Sequence, residues 1–329
     1  MTAVGPVRLP VASLPMMTNA AIPALQALFV TVLWSSSWVL IKLGLAADLA
    51  PLTFASLRYA VAAACLAAVV AASGVHRSAL RGLSRSRWID LGLLGLVFIT
   101  VTQGAQFLAL ELLPANMLSL VLSATPAVVA VAGGALLAEP PSRGQWSGIG
   151  VYAVGVGLYF WGQGLAASQP AGLVVAFVCL GANAAAALLG RATNRRLDLH
   201  PLVVTTVSMG VGAVALLAVG LGVEGLPRLS ARAMVLVGWL AVVNTALAFT
   251  LWNHTLRRLS AVQSSVINNT MLIQIAGLAW VFLGERLTGV RIVALGVAAA
   301  GILVVQLHSP GAARDAVRAT PPAPEPATR

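Results

Sequence analysis

Long apolar segments, separated by short polar ones, run through this chain from residue 23 to residue 307. A helix needs about 20 mostly apolar residues to cross the hydrocarbon core of a bilayer. Segments of that kind lie at 23–45, 51–73, 89–110, 115–138, 145–163, 171–190, 201–223, 232–254, 261–283 and 287–307. The sequence therefore predicts an all-α membrane protein with ten transmembrane helices.

The scarcity of charge supports the same fold class. Charged residues make up 9% of the 329 residues and hydrophobic residues 59%. A soluble domain carries about 25% charged residues, whereas a surface that faces lipid needs no such cover. The net charge of +11 would suggest nucleic acid as partner of a soluble protein,. Here the basic residues lie between apolar segments, so we expect the lipid bilayer, and no nucleic acid, as partner.

The basic residues also predict an orientation. If the N-terminus is cytoplasmic, fourteen of the 20 basic residues fall in cytoplasmic segments and four in outer ones, while Lys42 and Arg58 fall within helices. Cytoplasmic loops of membrane proteins carry such an excess of Lys and Arg. We therefore expect a multi-pass protein of the bacterial inner membrane with both termini in the cytoplasm.

An internal repeat divides the chain into two halves. A shift of 146 residues aligns LALELLPANMLSLVLS (108–123) with HTLRRLSAVQSSVINN (254–269), and ALLAEPPSRGQWSGIGVYAVG (135–155) with VFLGERLTGVRIVALGVAAAG (281–301). A shift of 150 aligns DLAPL (48–52) with DLHPL (198–202). Because each half has five helices, the halves have opposite orientations in the membrane. Such inverted repeats place a transport site between them near the bilayer midplane.

These segments give the predicted domain organisation. The two five-helix repeats occupy residues 21–166 and 167–308. The ends, 1–20 and 309–329, are rich in small residues and proline and show no apolar period, so we expect disordered cytoplasmic tails,.

Four segments resemble a known family. VLWSSSWVLIKLGL (32–45) and PLTFASLRYAVAA (51–63) are similar to the first two helices of the ten-helix EamA branch of the drug/metabolite transporter superfamily. NTALAFTLWNHTLRRLSA (244–261) and FLGERLTGVRIVALGVAAAGILV (282–304) resemble its helices eight to ten. The resemblance implies transport of amino acids, their derivatives, nucleobases, sugars or drugs. The chain departs from the family at AEPP (138–141), and at NNTMLIQ (268–274), where relatives often carry a proline.

The first helix carries one set of candidate binding residues. Trp34, Trp38 and Lys42 are spaced i, i+4, i+8 and so share a helical face,. That face could stack an apolar substrate and attract its carboxylate, or it could be an interfacial belt whose lysine extends outward. Arg58, near the outer end of the second helix, could meet anionic substrates. We favour an outward-reaching side chain that bonds helix-end carbonyls, with Asp48 or Glu285 as partner.

Polar side chains inside the other helices form the second set, because such groups are costly in hydrocarbon unless they face protein or water. The repeat pairs Ser119 with Ser265 and Ser123 with Asn269, which gives two symmetry-related stripes facing a common axis. The alternative for such residues, and for Asn116, Asn244 and Asn253, is hydrogen bonding between helices. The predicted substrate-binding residues are Trp34, Trp38, Lys42, Gln103, Gln106, Ser119, Ser123, Trp252, Ser265, Asn268 and Asn269.

The positions of the acidic residues bear on whether transport is coupled to proton movement. Glu139 and Glu285 lie at helix ends, where we expect them to cap neighbouring helices or to pair with Arg143 and Arg286. No Asp or Glu occupies the middle of a predicted helix. Transport is therefore expected to follow the substrate gradient, or to exchange protons through a terminal carboxylate such as Glu285.

Together these features predict a secondary transporter that exports small metabolites, such as amino acids or their derivatives, by alternating access. The alternatives are a passive channel-like facilitator, and a translocator of lipids or lipid-linked sugars. An intramembrane enzyme would need a buried catalytic constellation, and the sequence contains no such motif, no metal-ligand cluster and no cofactor fingerprint in a fitting context,. We expect no enzymatic activity, no metal and no cofactor. The expected partner is a small-molecule substrate, and a homodimer is possible.

Overall fold

The computed structural model describes residues 16–47, 49–137, 141–161, 170–196, 199–227, 229–255, 258–259 and 261–308. Within these ranges every regular element is a helix. Ten long helices, α1 to α10, follow the chain. They are α1 Met16–Leu45, α2 Pro51–Ala72, α3 Arg85–Leu112, α4 Ala115–Ser123 with Thr125–Leu137, α5 Arg143–Phe160, α6 Pro170–Arg196, α7 Pro201–Glu224, α8 Ala231–Ala241 with Val242–Leu247 and Ala248–Thr255, α9 Ala261–Asn269 with Met271–Leu283, and α10 Gly289–Leu307.

Nine of these helices in the described part of the chain are long and apolar enough to cross a membrane. The other is α5, an 18-residue helix rich in glycine and tyrosine, which packs along α10. A Cβ added at Gly148 would lie 2.7 Å from the carbonyl oxygen of Gly301, and one at Gly155 would lie 2.5 Å from the backbone nitrogen of Ala298. The two backbones thus touch at small residues, as in packed membrane helices. The prediction of an all-α fold with ten helices is confirmed.

The helix bounds differ from the predicted ones mainly at the polar ends. Helix α1 begins at Met16, within the predicted N-terminal tail, and α3 begins at Arg85. A short helix, Gly74–Arg81, joins α2 to α3 and was not predicted. Hydropathy marks the apolar middle of a helix but not its basic first turns. The predicted disorder of residues 1–15 and 309–329, and the predicted repeat boundary at residues 166 and 167, lie outside the described residues.

The internal repeat extends to irregular helix geometry. Helices α3 and α8 each contain a π-helical segment, at Leu96–Gln103 and Val242–Leu247. Helices α4 and α9 are each interrupted, at Ala124 and Thr270. Both pairs are related by the same 146-residue shift as the sequence match. The two halves therefore share their deviations from ideal helix as well as their residues.

The interruption of α9 forms without a proline. In α4, Pro126 follows the break, whereas the residue at the corresponding place in α9 is Leu272. At Thr270 the hydroxyl donates to the carbonyl oxygen of Ile267 at 2.6 Å and accepts from Gln274 Nε2 at 2.9 Å. Side-chain hydrogen bonds to nearby backbone groups can replace helical ones. The missing proline noted in the sequence therefore does not remove the break.

Two carboxylates hold the end of the bundle where α1 ends and α2 begins, called here the clamped end. Glu224, the last residue of α7, accepts from the backbone N–H groups of Leu52 and Thr53 at 2.9 and 2.7 Å. Glu285 accepts from those of Ala115 and Asn116 at 2.6 and 3.1 Å. Free N–H groups and the helix dipole make such N-termini favourable sites for a carboxylate.

The position of Glu285 depends on the turn before it. Gly284 ends α9 with φ 67°, a left-handed conformation that glycine adopts without steric cost,. The chain thereby turns back so that Glu285 reaches the start of α4. The prediction that Glu285 caps a neighbouring helix is confirmed, whereas Glu139 lies outside the described residues. The opposite end of the bundle, where α1 begins and α10 ends, is called the terminal end.

Candidate substrate cavity

A cavity of about 570 Å³ lies at the centre of the bundle, between the two repeats. Residues of α1, α2, α3 and α4 line it from the first repeat, and residues of α6, α8, α9 and α10 line it from the second. Its volume falls within the range of about 300–1,000 Å³ that small-molecule sites occupy. The position between inverted repeats is where transporters of this architecture bind substrate.

Most of the residues predicted from the sequence meet in this cavity. Those that line it are Trp34, Trp38, Gln103, Gln106, Ser119, Ser123, Asn268 and Asn269. They come from α1, α3, α4 and α9, so the polar stripes on α4 and α9 do face a common space. Their contact with a substrate stays a prediction.

Three predicted residues do not line the described cavity wall. Lys42 lies two turns beyond Trp34, where the charges of Glu285 and Glu111 act on it, so it belongs to the clamped end. The shared helical face was predicted correctly, but that face runs past the end of the cavity. Trp252 lies against Trp34, with ring centroids 5.2 Å apart, but is absent from the lining. The side chain of Ser265 lies outside the described residues.

Arg58 lines the cavity, and our preferred interpretation of it was wrong. Its side chain is 5% exposed, and its Nε donates to Thr245 Oγ1 at 2.8 Å. It is the eighth residue of α2, so it lies about 10 Å from the helix start,. Of the two acidic partners considered, Glu285 is engaged with α4, and Asp48 lies outside the described residues.

Aromatic rings surround the same guanidinium. Its Cζ lies 5.2 Å from the ring centroid of Tyr59 and 6.0 Å from that of Phe107. Such contacts stabilise a cation more when water is excluded. Tyr59, which was not among the predicted residues, donates its hydroxyl proton to Gln103 Oε1 at 2.7 Å.

A second aromatic group lies nearer the terminal end. Trp34 packs against Phe249 with ring centroids 5.3 Å apart, and Phe249 contacts Phe98 at 6.5 Å. All three residues line the cavity. Phe98 is in the π-helical segment of α3, which places that ring on the inner side of the bundle. The cavity therefore has a polar part around Arg58 and an aromatic part around Trp34.

Several polar residues link helices, as the alternative interpretation proposed. Asn244 donates from Nδ2 to the carbonyl oxygen of Leu33 and to Ser36 Oγ, which joins α8 to α1. Asn269 donates to the carbonyl oxygen of Ala299 at 2.8 Å, and so joins α9 to α10 while lining the cavity. Asn183, another lining residue that was missed, donates to Thr125 Oγ1 at 3.1 Å. A polar residue in an otherwise apolar sixth helix was the available signal.

The cavity is asymmetric along the membrane normal. Gln306, one residue before the end of α10, lines it at the terminal end. Toward the clamped end the lining stops at residues such as Arg58 and Ser119, which lie about 10 and 6 Å inside their helices,. In the described conformation the cavity lining therefore extends further toward the terminal end than toward the clamped end.

Comparison with known proteins identifies the family. A model of the EamA-like transporter family matches residues 21–161 and 170–307. The chain belongs to the EamA-like transporter family. Each matched range is one five-helix repeat, so the predicted resemblance and the two-repeat fold are both confirmed. The protein is a multi-pass membrane transporter and not an enzyme.

Solved structures support the fold. One solved structure, described as a crystal structure of a protein, is 19% identical in sequence to this chain. The match covers 88% of this chain and 98% of the other, and the TM-score between the two structures is 0.60. That likeness concerns the fold alone. No curated protein matches this EamA-like chain.

Proposed function

We propose that this EamA-like protein is a secondary transporter that exports small metabolites, such as amino acids or their derivatives, across a bacterial inner membrane. The observation that carries the proposal is the cavity of about 570 Å³ between the inverted repeats, lined by indole, amide and hydroxyl groups. Apolar walls with a few oriented polar groups are characteristic of small-molecule sites.

The asymmetry of the two ends supports alternating access. The cavity extends to the terminal end, while Glu224 and Glu285 hold the helices of the clamped end together. Exchanging the conformations of the two repeats would open the clamped end and seal the terminal one. The interruptions at Ala124 and Thr270 supply two symmetry-related places where α4 and α9 can bend.

The distribution of basic residues supports a cytoplasmic location of both termini,. With that orientation the cavity extends toward the cytoplasmic side, from which an exporter takes up its substrate. The described cavity lining contains no acidic residue. We therefore infer that the substrate gradient drives transport, with no proton carrier at the binding site.

Counterflow in proteoliposomes tests this function. Vesicles loaded with one unlabelled amino acid or derivative at high concentration should accumulate the same labelled compound transiently above its external concentration. A carrier gives this overshoot, whereas a channel-like facilitator gives only equilibration, as do protein-free vesicles. If no compound of a metabolite panel overshoots while labelled lipid is moved between leaflets, the lipid-translocator alternative replaces the proposal.

Coupling is tested in the same vesicles. Under an imposed substrate gradient, a proton ionophore should not reduce the rate of substrate movement. If the ionophore abolishes transport, proton coupling is obligatory and the inferred drive is wrong.

A further inference from the structure

Arg58 is a permanently charged group buried within a membrane bundle. A buried cation is unfavourable unless hydrogen bonds or an opposite charge compensate it. In the described part of the chain its partners are Thr245 Oγ1 at 2.8 Å and Ser37 Oγ at 3.5 Å, and neither is an anion. The positive charge is therefore solvated by dipoles and rings and remains unneutralised by any described residue.

Both hydroxyl groups are oriented to accept from the guanidinium. Thr245 donates its own proton to the carbonyl oxygen of Leu240 at 2.8 Å, and Ser37 donates to that of Leu33 at 3.2 Å. The first of these bonds spans five residues, because α8 is π-helical there. Two of the five N–H donors of Arg58 are used in this way. The guanidinium is thus held in place while donors remain for a ligand.

Gln103 adds donors to the same part of the cavity. Its Oε1 accepts from Tyr59, which leaves Nε2 as the end of the amide that can serve a ligand. Within the described residues Nε2 donates to no partner, and both Gln103 and Arg58 line the cavity. A wall with unused donors and a positive charge matches the acceptor oxygens of a carboxylate.

An apolar surface lies next to these donors. Trp34 precedes Ser37 by one helical turn. It therefore lies about 5 Å closer to the start of α1 than Ser37, which contacts the guanidinium of Arg58,. Phe249 and Phe98 extend this aromatic surface toward the terminal end. A ligand with an acidic head and an apolar body of one ring can contact both parts at once.

Building on the transport function proposed above, we propose that the substrate is an organic anion, a carboxylate on an aromatic or apolar body. Arg58 and Gln103 bind the carboxylate, and Trp34 and Phe249 pack on the body. A free amino acid fits less well, because its ammonium group finds no Asp or Glu in the described lining. Among amino-acid derivatives, those with an acylated amine match the cavity.

A ligand series on the unmodified protein tests the proposal first. N-acetyl-L-phenylalanine, its neutral amide and L-phenylalanine share one ring and differ in charge. The purified full-length protein should be stabilised against thermal unfolding by the acetylated acid at a concentration at least about tenfold below that needed with the amide, the effect expected for a charged hydrogen-bond pair. L-phenylalanine should fall between them. Equal stabilisation by acid and amide, or by neither, would overturn the proposal, whatever the behaviour of any variant.

Variants assign the effect to Arg58. Arg58→Gln should abolish the preference for acid over amide, and Arg58→Lys should retain part of it, since Lys keeps the charge but loses the fixed planar fork. Arg77→Gln, at an exposed arginine of the Gly74–Arg81 helix, is the matched control and should behave like the wild type. An undiminished preference in Arg58→Gln, or an equal loss in Arg77→Gln, would contradict the assignment.

Counterflow separates this inference from the transport function. Exchange of labelled N-acetyl-L-phenylalanine faster than of its amide supports both. Equal exchange of acid and amide would support the carrier function and contradict the preference for an anion. Stabilisation by the acid, without counterflow of any compound, would support the anion site and contradict the proposed transport function.

Discussion

The two ends of the bundle differ in how the described helices are held together. At the clamped end, Glu224 and Glu285 each receive two backbone N–H groups from the first turn of another helix. At the terminal end the lining of the central cavity extends as far as Gln306, in the last turn of α10. Both ends belong to the same ten-helix frame, related by the repeat. We therefore expect the side from which the cavity is reached to depend on polar contacts at helix ends.

The repeat suggests which residue closes the terminal end in the other state. Glu139 corresponds to Glu285, and Ala261, at the start of α9, corresponds to Ala115, whose N–H group Glu285 binds. Glu139 lies outside the described residues. We expect the carboxylate of Glu139 to bind the N-terminus of α9 when Glu224 and Glu285 release the helices of the clamped end.

The largest expected effect concerns which end faces the cytoplasm. Reporter fusions at residue 329 and in the 77–87 segment should be active only in the cytosol, and a fusion near residue 167 only in the periplasm. The basis is the excess of basic residues on the terminal side,. A periplasmic C-terminus would reverse the assignment of the two ends and refute the predicted orientation.

Removing a clamp should be the most destabilising substitution at the clamped end. Glu285→Gln or Glu224→Gln replaces a charged acceptor of two backbone N–H groups with a neutral one, which we expect to cost roughly 1.5–3 kcal/mol,. Thermal unfolding of the purified protein measures this. Glu111→Gln is the control, because Glu111 is exposed and receives no backbone N–H group in the described structure. Equal melting temperatures for all three variants would show that the carboxylates do not hold this end.

The aromatic part of the cavity can be tested with Trp34→Ala. The ring contacts Phe249 and Trp252 and lines the space near the terminal end. Its removal should weaken binding of an aromatic substrate by about tenfold and reduce discrimination against bulkier ones. Trp280→Ala, at a tryptophan that is 60% exposed on α9, should leave transport unchanged. Matching losses in the two variants would point to general destabilisation instead.

A smaller effect distinguishes residues that link helices from residues that serve the cavity. Asn244→Leu removes two bonds to α1 and should lower stability by about 1 kcal/mol while transport per folded molecule stays near wild type,. Asn269→Leu should instead reduce transport per folded molecule by about fivefold. Transport must be normalised to folded protein. The opposite pattern in the two variants would exchange their assigned roles.

Sequence patterns were sufficient for features that repeat along a helix. Apolar length predicted the ten helices, and the 146-residue shift predicted that the polar residues of α4 and α9, Ser119 and Asn269 among them, face one cavity. Trp34, Trp38 and Lys42 do share a face of α1. Their spacing, however, does not indicate where along the helix the cavity ends. The extent of the cavity was therefore not predictable, and Lys42 was included among the predicted substrate-binding residues although it does not line the cavity.

Features that depend on contacts between distant helices were not predictable. Arg58 points inward because Thr245 meets it, and the two residues are 187 positions apart on different repeats. The break in α9 relies on Gln274, which also bonds Ser35 and Thr31 of α1. Glu224 did carry a signal, since an acid in the last turn of a helix opposes its dipole unless another N-terminus receives it,.

Thiol labelling of the cavity tests the central claim, that the space between the repeats is a water-filled site reached from one end at a time. The two native cysteines, Cys65 and Cys179, are first replaced by alanine. In that background Gln103→Cys and Ser123→Cys should react with a membrane-impermeant reagent from the terminal end, and from the clamped end only when transported substrate is present. Val101→Cys, at a position 44% exposed on the outer surface of α3, should stay unreactive. Labelling of neither cavity position from either side, or no more than at Val101, would contradict the account.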